Sequence, residues 1–255
     1  MTDAEKNLID TARQILDSEL SLSDLFLPAR GGVPLPELNP PAPAASGAAA
    51  PPTRRPARPD TPMGTDMTPR QKTQAMEELA REIAACKNCQ LHASRTQPVV
   101  GEGNPSTQLV FVREAPGAEE DRTGRPFVGR AGELLTKMIL AMGLTREDIY
   151  ICNMLKCRPP DNRTPNPQEI QCCWDFLVRQ LQIIQPKAIV TMGNPATQGL
   201  LNTKTGITQL RGQWQELPEI GPGLGGIPVM PTFHPAFLLR QYTPENRKKV
   251  WSDLQ

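Results

Sequence analysis

The chain has little of what a membrane or secreted protein needs. Aromatic residues make up 4% of its 255 residues, and no apolar run approaches the length of a membrane span. Its first ten residues, MTDAEKNLID, lack the basic and apolar regions of a secretory signal. We therefore expect a cytoplasmic protein without a membrane partner. In that reducing compartment, clustered cysteines favour metal or redox chemistry over disulfides.

The chain also lacks an excess of charge of either sign. It has 28 Lys and Arg against 27 Asp and Glu, for a formal net charge of +1. This balance neither requires nor excludes a nucleic-acid partner, because a local basic groove can lie on a neutral protein.

Three zones of different composition follow one another along the chain. Residues 1–27 are predicted to contain a short amphipathic helix, and residues 28–70 to form a disordered linker rich in Pro, Ala and Arg. Twelve of the 28 prolines lie between Pro28 and Pro69, a density that excludes regular packing there. Residues 71–255 have the texture of a globular domain.

The first two zones offer contacts with other molecules. The apolar residues on one side of the predicted N-terminal helix are Leu8, Ile9, Ala12, Ile15 and Leu16. This stripe suits docking onto a protein partner, and an isolated marginal helix fits it equally well. The basic residues of the linker are Arg54, Arg55, Arg58 and Arg70. They suit contacts with phosphates, although a solvated linker explains them without a ligand.

The globular zone alternates short apolar runs with helical segments. The predicted strands are Leu109–Val112, Ile149–Cys152, Ala188–Met192 and Val229–Phe233, and the predicted helices are 71–85, 129–142, 167–185 and 194–202. This alternation is typical of an α/β fold with a parallel sheet covered by helices on both faces. Each apolar run is followed at once by a polar or Gly/Pro motif: REAPG, CNMLKCRPP, GNP and HPA. The sequence therefore predicts a site at the carboxyl ends of the strands.

Six cysteines lie in the globular zone, and two of them form a C-x₂-C pair, Cys86 and Cys89. Such a pair fits zinc, an iron–sulfur cluster or a redox dithiol. Cys157 and Cys173 lie far from it, as separate loops around a cuboidal cluster would place them, although a Cys₄ zinc site has the same spacing. Cys152 falls in a strand and is interpreted as spare. Cys172 adjoins Cys173 and could take its place.

Three segments carry a family resemblance: EAPGAEEDRTGRPFVGRAGELL, CNMLKCRPPDNRTPNPQEIQCC and TFHPAFLLR. Over about Cys86 to Leu254 the chain resembles the family 4 uracil-DNA glycosylases, the iron–sulfur branch of that superfamily. The resemblance implies a three-layer fold with a central four-stranded parallel sheet. It also implies a [4Fe-4S] cluster on Cys86, Cys89, Cys157 and Cys173.

The activity implied by the resemblance is monofunctional removal of uracil from single- or double-stranded DNA, in base excision repair, by a monomeric enzyme. Such an enzyme flips the nucleotide out and cleaves its N-glycosidic bond. The resemblance assigns base stacking to Phe127, base reading to Asn153 and stabilisation of the departing uracil to His234. A core Phe, a turn Asn and a capping His are the structural alternatives at these positions.

Further roles follow from the same resemblance. Glu114 is assigned to catalysis through a positioned water and to excluding the methyl group of thymine, and Ala115, Pro116 and Gly117 are assigned to the wall of the uracil pocket. Pro235 and Ala236 belong to a loop that wedges into the minor groove. The predicted phosphate contacts are Arg158, Arg163 and Arg240.

One position departs from the family pattern. Arg113 stands where the family has the first glycine of G-E-A-P-G, a residue type that often marks a positive φ or close backbone approach. An arginine there is expected to tilt the loop, narrow the pocket or add a DNA contact. It leaves open one alternative to the enzyme, a uracil-DNA-binding protein with weakened catalysis. The cysteines leave open a second alternative, a redox-sensing iron–sulfur protein.

Overall fold

The computed structural model describes residues 67–255, which form one mixed sheet flanked by helices. The strands are β1 (Glu102–Gly103), β2 (Leu109–Arg113), β3 (Tyr150–Asn153), β4 (Ala188–Met192), β5 (Gln215–Glu216) and β6 (Pro228–Thr232). Their order across the sheet is β1-β3-β2-β4-β6-β5. The predicted helix within residues 1–27 and nearly all of the predicted linker lie outside the described residues.

Helices connect and cover the strands. They are α1 (Pro69–Ala85), α2 (Leu91–Ser94), α3 (Ala118–Thr123), α4 (Gly129–Ala141), α5 (Pro167–Ile184), α6 (Asn194–Leu201), α7 (Ile207–Leu210), α8 (Pro235–Arg240) and α9 (Pro244–Leu254). Short 3₁₀ turns lie at Arg146–Asp148 and Pro160–Asn162. No helix in residues 67–255 is both long and apolar enough to cross a membrane.

The four strands predicted from the apolar runs are β2, β3, β4 and β6, and they pair in parallel at the centre of the sheet. The whole sheet is mixed and has six strands, because β1 and β5 add antiparallel pairs at the two edges. Both edge strands are only two residues long, and such short segments carry no alternation of apolar and polar residues that a sequence pattern could reveal.

The central strands contribute side chains to two separate cores. Val110 and Val112 of β2 pack on the side of α1 and α5, whereas Phe111, between them, packs on the side of α4. This division follows from the period of two in a strand, which points successive side chains to opposite faces. The result is the predicted three-layer arrangement of helices, sheet and helices.

Helix α1 begins two residues earlier than predicted. Thr68 caps its first turn, because its side chain accepts a hydrogen bond from the backbone of Gln71 and the Gln71 side chain returns to the backbone of Thr68. Pro69 then occupies the first turn, where its missing N–H costs nothing. The predicted boundary at residue 70 therefore lies inside this helix.

A glycine in α4 allows close packing against the loop that precedes it. A Cβ at Gly132 would overlap the backbone carbonyl of Phe127. We expect Gly132→Ala to destabilise the domain by about 1–3 kcal/mol through this overpacking. For a domain of this size each kcal/mol lowers the Tm by about 2–4 °C, which thermal unfolding measures. Gly206→Ala is the matched control, because a Cβ there meets nothing closer than 3.9 Å; equal melting of the two variants would contradict the expectation.

Candidate functional site

Polar residues meet where three parallel strands end. Arg113 is the last residue of β2 and lies opposite Asn153, the last residue of β3. His234 follows two residues after the end of β6, at the same edge of the sheet. The structure therefore places these three residues at the carboxyl ends of the parallel strands, where the site was predicted.

The amide of Asn153 is buried and has no partner in the part of the chain that the structure describes. The residue is 0% exposed, and neither Oδ1 nor Nδ2 makes a hydrogen bond among residues 67–255. An unpaired buried amide is costly, at about 1–3 kcal/mol, and native proteins seldom tolerate one. Such an amide fits a ligand that presents one donor and one acceptor along the same edge.

Phe127 lies in a strained turn that leads into α4. Its φ is +51°, in the left-handed region that non-glycine residues seldom adopt, and its side chain is 1% exposed. Arg146 holds the turn: one Nη donates to the carbonyl of Phe127 at 3.2 Å and the other to that of Pro126 at 2.7 Å. Backbone strain held in this way is common at ligand sites. No motif in the sequence pointed to Arg146.

The rings of Phe127 and His234 stack on each other, with centroids 5.4 Å apart and planes 24° apart. His234 is the N-cap of α8, and its Nδ1 accepts a hydrogen bond from the backbone N–H of Ala236 at 3.0 Å. This bond assigns the proton of the neutral ring to Nε2. Burial, together with the positive charges of Arg113 and Arg240, lowers the pKa of His234 to about 3. At neutral pH the ring is therefore an uncharged donor through Nε2–H.

The loop after β2 adds a second buried polar group without a partner. Oε1 of Glu114 is buried and makes no hydrogen bond among the described residues, and burial raises the pKa of this carboxyl group. Ala115 and Pro116, which follow it, are buried. The backbone carbonyl of Glu114 accepts from Leu155 at 2.9 Å, which fixes this loop to the segment after β3.

Glu120 organises the loop from α3 and was likewise not predicted from the sequence. Its carboxylate accepts from the backbone N–H of Gly117 at 2.8 Å and of Val128 at 3.2 Å, and it pairs with Arg113 at 3.3 Å. A Cβ at Gly117 would lie only 2.6 Å from Oε2 of Glu120, so a larger residue there would displace this carboxylate. Glu120 thus joins the loop after β2 to the turn before α4.

Arg113 fits the backbone without strain. Described residues other than glycine with positive φ are Phe127, Asp161, Asn162, Gln185 and Asn202. Because Arg113 is an extended strand residue, this position does not require the positive φ that favours glycine. A tilt of the loop relative to members with glycine stays a prediction. The side chain of Arg113 fills space in the site, with the guanidinium carbon 4.6 Å from the centroid of the Phe127 ring.

Five cysteines line a second site, a cavity between the C-terminal end of α1 and the first half of α5. They are Cys86, Cys89, Cys157, Cys172 and Cys173. The structure therefore brings the four predicted ligands together from three segments and adds Cys172 beside them. Cys152 is buried within β3 and is not part of this lining.

Several donors surround these sulfurs. The guanidinium of Arg95 donates to Sγ of Cys157 at 3.1 Å, and the backbone N–H of Lys156 donates to Sγ of Cys173 at 3.2 Å. Burial raises the pKa of the Cys173 thiol to about 12 and also raises that of Cys157. A metal would have to displace these protons on binding, as is general for thiolate sites.

The spacing of the cysteines bears on the kind of metal site. Within residues 67–255, no three His, Cys, Asp or Glu side chains come close enough to hold a single ion. Four thiols from three segments around one cavity suit a cuboidal cluster, because its ligands attach to four different iron corners. The donor set thus fits a [4Fe-4S] cluster.

Lys156 connects the two sites. It is 1% exposed, and its Nζ donates to the backbone carbonyl of Asn153 at 2.6 Å and to Oε1 of Gln180 at 2.5 Å. Its backbone N–H donates to Cys173. The end of β3 is thereby tied both to α5 and to the cysteine cavity.

The arginines predicted to contact phosphate occupy different environments. Arg163 forms a two-bond pair with Glu169 at 2.6 and 2.9 Å, and Arg158 donates to Asn162 at 2.8 Å. Arg240 is exposed at the end of α8. The DNA contacts of all three remain predictions.

Comparisons with known proteins agree with this architecture. The sequence model of the uracil DNA glycosylase superfamily matches residues 100–255. A type-4 uracil-DNA glycosylase of Thermotoga maritima is 47% identical over 188 residues, covering 72% of this chain and 93% of the relative. Those of Archaeoglobus fulgidus and Sulfurisphaera tokodaii are 44% and 42% identical, covering 71% of this chain and 91% and 82% of the relatives. The chain belongs to the type-4 uracil-DNA glycosylases, within the uracil DNA glycosylase superfamily.

Proposed function

We propose that this chain removes uracil from DNA by hydrolysing its N-glycosidic bond, leaving an abasic site for base excision repair. The observation that carries the proposal is the buried amide of Asn153, which has no partner among residues 67–255. It ends β3 at the edge of the sheet where His234 lies, and the ring of His234 stacks on Phe127. The relatives named above act on the same substrate class by name. DNA containing uracil is accordingly the proposed partner.

Asn153 supplies the base recognition in this proposal. Its Oδ1 accepts from N3–H of uracil and its Nδ2 donates to O4, whereas cytosine presents these roles in reverse order. Because both amide atoms are buried and unpaired before the base arrives, a mismatched base would leave them unpaired.

His234 and Glu114 supply the chemistry. The neutral ring of His234 donates through Nε2–H to O2 of the departing uracil, as donors do in oxyanion holes. Glu114 presents an unpaired carboxyl oxygen that can orient the attacking water. Phe127 stacks on the flipped base. The rings of Phe127 and His234 now stack on each other with centroids 5.4 Å apart, so either the two rings move apart or the base contacts another part of the Phe127 ring.

Lys156 bears on whether the enzyme also cuts the DNA strand. A bifunctional glycosylase attacks the sugar with an amine, but Lys156 lies behind Asn153, buried, and donates to two oxygens there. It cannot reach a sugar carbon in this position. This supports a monofunctional hydrolase.

The cysteine cavity supports a structural cofactor. Cys86, Cys89, Cys157 and Cys173 would hold a [4Fe-4S] cluster, which when bound supplies a fixed junction between α1, the segment after β3 and α5. Glycosidic hydrolysis does not oxidise or reduce the substrate, so the role of the cluster is structural: it holds Asn153 and the DNA-facing loops in place. The hydrogen bonds of Lys156 to Asn153, Gln180 and Cys173 connect the cysteine cavity to Asn153.

An excision assay on uracil-containing single- and double-stranded DNA tests the proposal. We expect release of free uracil and alkali-labile abasic sites, both lost in His234→Ala.

The stacked, Arg113-covered ring of Phe127 favours one competing function, a protein that binds uracil DNA without turnover. Tight salt-dependent binding without any free uracil, from protein with intact metal content, would support that alternative instead.

The pKa of His234 predicts how the protein responds to acid. The folded value of about 3 lies below the ordinary value of 6.5, so the unfolded chain binds a proton that the folded chain does not. The free energy of unfolding should therefore fall as pH drops from about 6.5 towards 3, by up to about 1.4 kcal/mol per pH unit from this residue. Denaturant unfolding at pH 7 and pH 5 measures it, and His234→Gln should lose less stability over that range than the parent.

A further inference from the structure

Arg113 places a guanidinium group inside the proposed uracil site. It ends β2 beside Asn153, and its guanidinium carbon lies 4.6 Å from the centroid of Phe127. Its side chain is only 12% exposed. The guanidinium therefore lies against the ring on which the uracil is proposed to stack.

The guanidinium is anchored on one side only. Glu120 pairs with Nη1 at 3.3 Å, and this carboxylate is itself fixed by two backbone N–H groups. No other hydrogen-bond acceptor contacts the Arg113 guanidinium among residues 67–255. Of its five N–H donors, several thus remain for an incoming group. The pair with Glu120 fixes where those donors lie.

The reaction develops a negative charge that a guanidinium can offset. When the bond between C1′ of the sugar and N1 of uracil breaks, both bonding electrons leave with the base, which becomes an anion. Water adds its oxygen to C1′, and the proton it loses reaches N1 of uracil through solvent. His234 is neutral and donates a hydrogen bond without a charge, so it leaves the anion uncompensated. The nearby Glu114 carboxyl adds no positive charge either.

We propose that Arg113 is a further catalytic residue, whose guanidinium stabilises the negative charge on the departing base. This inference rests on the proposed function. A charge held in place before the reaction stabilises a developing anion strongly in a buried site, because no solvent has to reorganise around it. The arginine at the first motif position is then an addition to the catalytic machinery and not a defect in it.

The test compares two leaving groups under single-turnover conditions. Arg113→Met keeps apolar contact with Phe127 but removes the charge, and we expect uracil excision to slow about 100-fold. 5-Fluorouracil leaves more easily as an anion, so its excision should slow much less in the same variant. Arg113→Lys keeps the charge and should retain most of both rates. Arg122→Met, an exposed residue paired with Glu119, is the matched control.

Each other outcome overturns the inference. Equal slowing for both bases would show that Arg113 only shapes the site. Unchanged excision would show that its charge takes no part in the reaction, and faster excision would show that it obstructs the base. If Arg113→Met does not fold, Arg113→Lys decides: a folded Arg113→Lys protein that loses about 100-fold or more in uracil excision counts against the proposal. Absence of uracil excision by the parent protein would instead refute the proposed function itself.

Discussion

Asn153→Leu is expected to lose uracil excision by at least about a thousandfold and to melt at a higher temperature than the parent protein. The loss follows because a site built to pair with a base edge discriminates by about 10⁴–10⁵ when that pairing fails. The gain in stability follows because leucine has a similar size and removes two buried polar atoms that have no partner among the described residues. An unsatisfied buried group costs about 1–3 kcal/mol.

The opposite signs of these two effects identify a binding amide. Asn166 is the matched control, because its side chain accepts from the backbone of Glu169 and caps α5. Asn166→Leu should lower stability by about 1 kcal/mol, as loss of a helix cap does. Thermal unfolding and single-turnover excision measure both variants. If Asn153→Leu melts as low as Asn166→Leu, the Asn153 amide has a structural partner and is not held in reserve for a base.

The strand ends of this site could be predicted from the sequence because they depend on local pattern. Each buried parallel strand is a short apolar run, and parallel strands bring their carboxyl ends to one edge. Asn153 and Arg113 each end such a run, so their neighbourhood followed from chain order alone. The roles of Asn153 and His234 needed the family resemblance, since an isolated Asn or His at a strand end is also common in turns and caps.

The residues that support the site could not be predicted in this way. Arg146 binds the carbonyl of Phe127 from 19 positions away, and Glu120 pairs with Arg113 while capping its own helix. Both lie in charged stretches, TRED and AEEDR, and charged residues usually lie in solvent. Only the folded chain brings them to the site. Lys156 is similar: in sequence it is one basic residue before a cysteine, and in the fold it is buried between the two sites.

Substitution of the cluster cysteines is the other change expected to have a large effect. Cys157 and Cys173 are 6% and 8% exposed, and each accepts a hydrogen bond from a neighbouring donor, Arg95 or the backbone of Lys156. Cys172 lines the same cavity but is only half-buried and has no such donor among the described residues. The pattern favours Cys173 over Cys172 as the fourth ligand, because donors to sulfur are typical of bound thiolates.

We therefore expect Cys157→Ser and Cys173→Ser to lose iron and acid-labile sulfide, and Cys172→Ser to keep both. Because metal binding contributes directly to folding, losing the cluster should lower stability by about 4 kcal/mol, or the Tm by about 10 °C. Cys152→Ala is the control for a buried cysteine outside the cavity and should keep its iron.

Metal and sulfide analysis of anaerobically purified variants, with thermal unfolding, separates the alternatives. If the parent protein contains zinc and no acid-labile sulfide, the four cysteines form a Cys₄ zinc site and not a cluster. If iron is lost in Cys172→Ser but kept in Cys173→Ser, the fourth ligand is Cys172 and not Cys173. If Cys157→Ser loses its metal yet still binds uracil DNA as tightly as the parent, the hydrogen bonds of Lys156 do not make the position of Asn153 depend on the metal site. The expected result is that metal and uracil recognition are lost together, since one lysine joins the cysteine segment to the strand that reads the base.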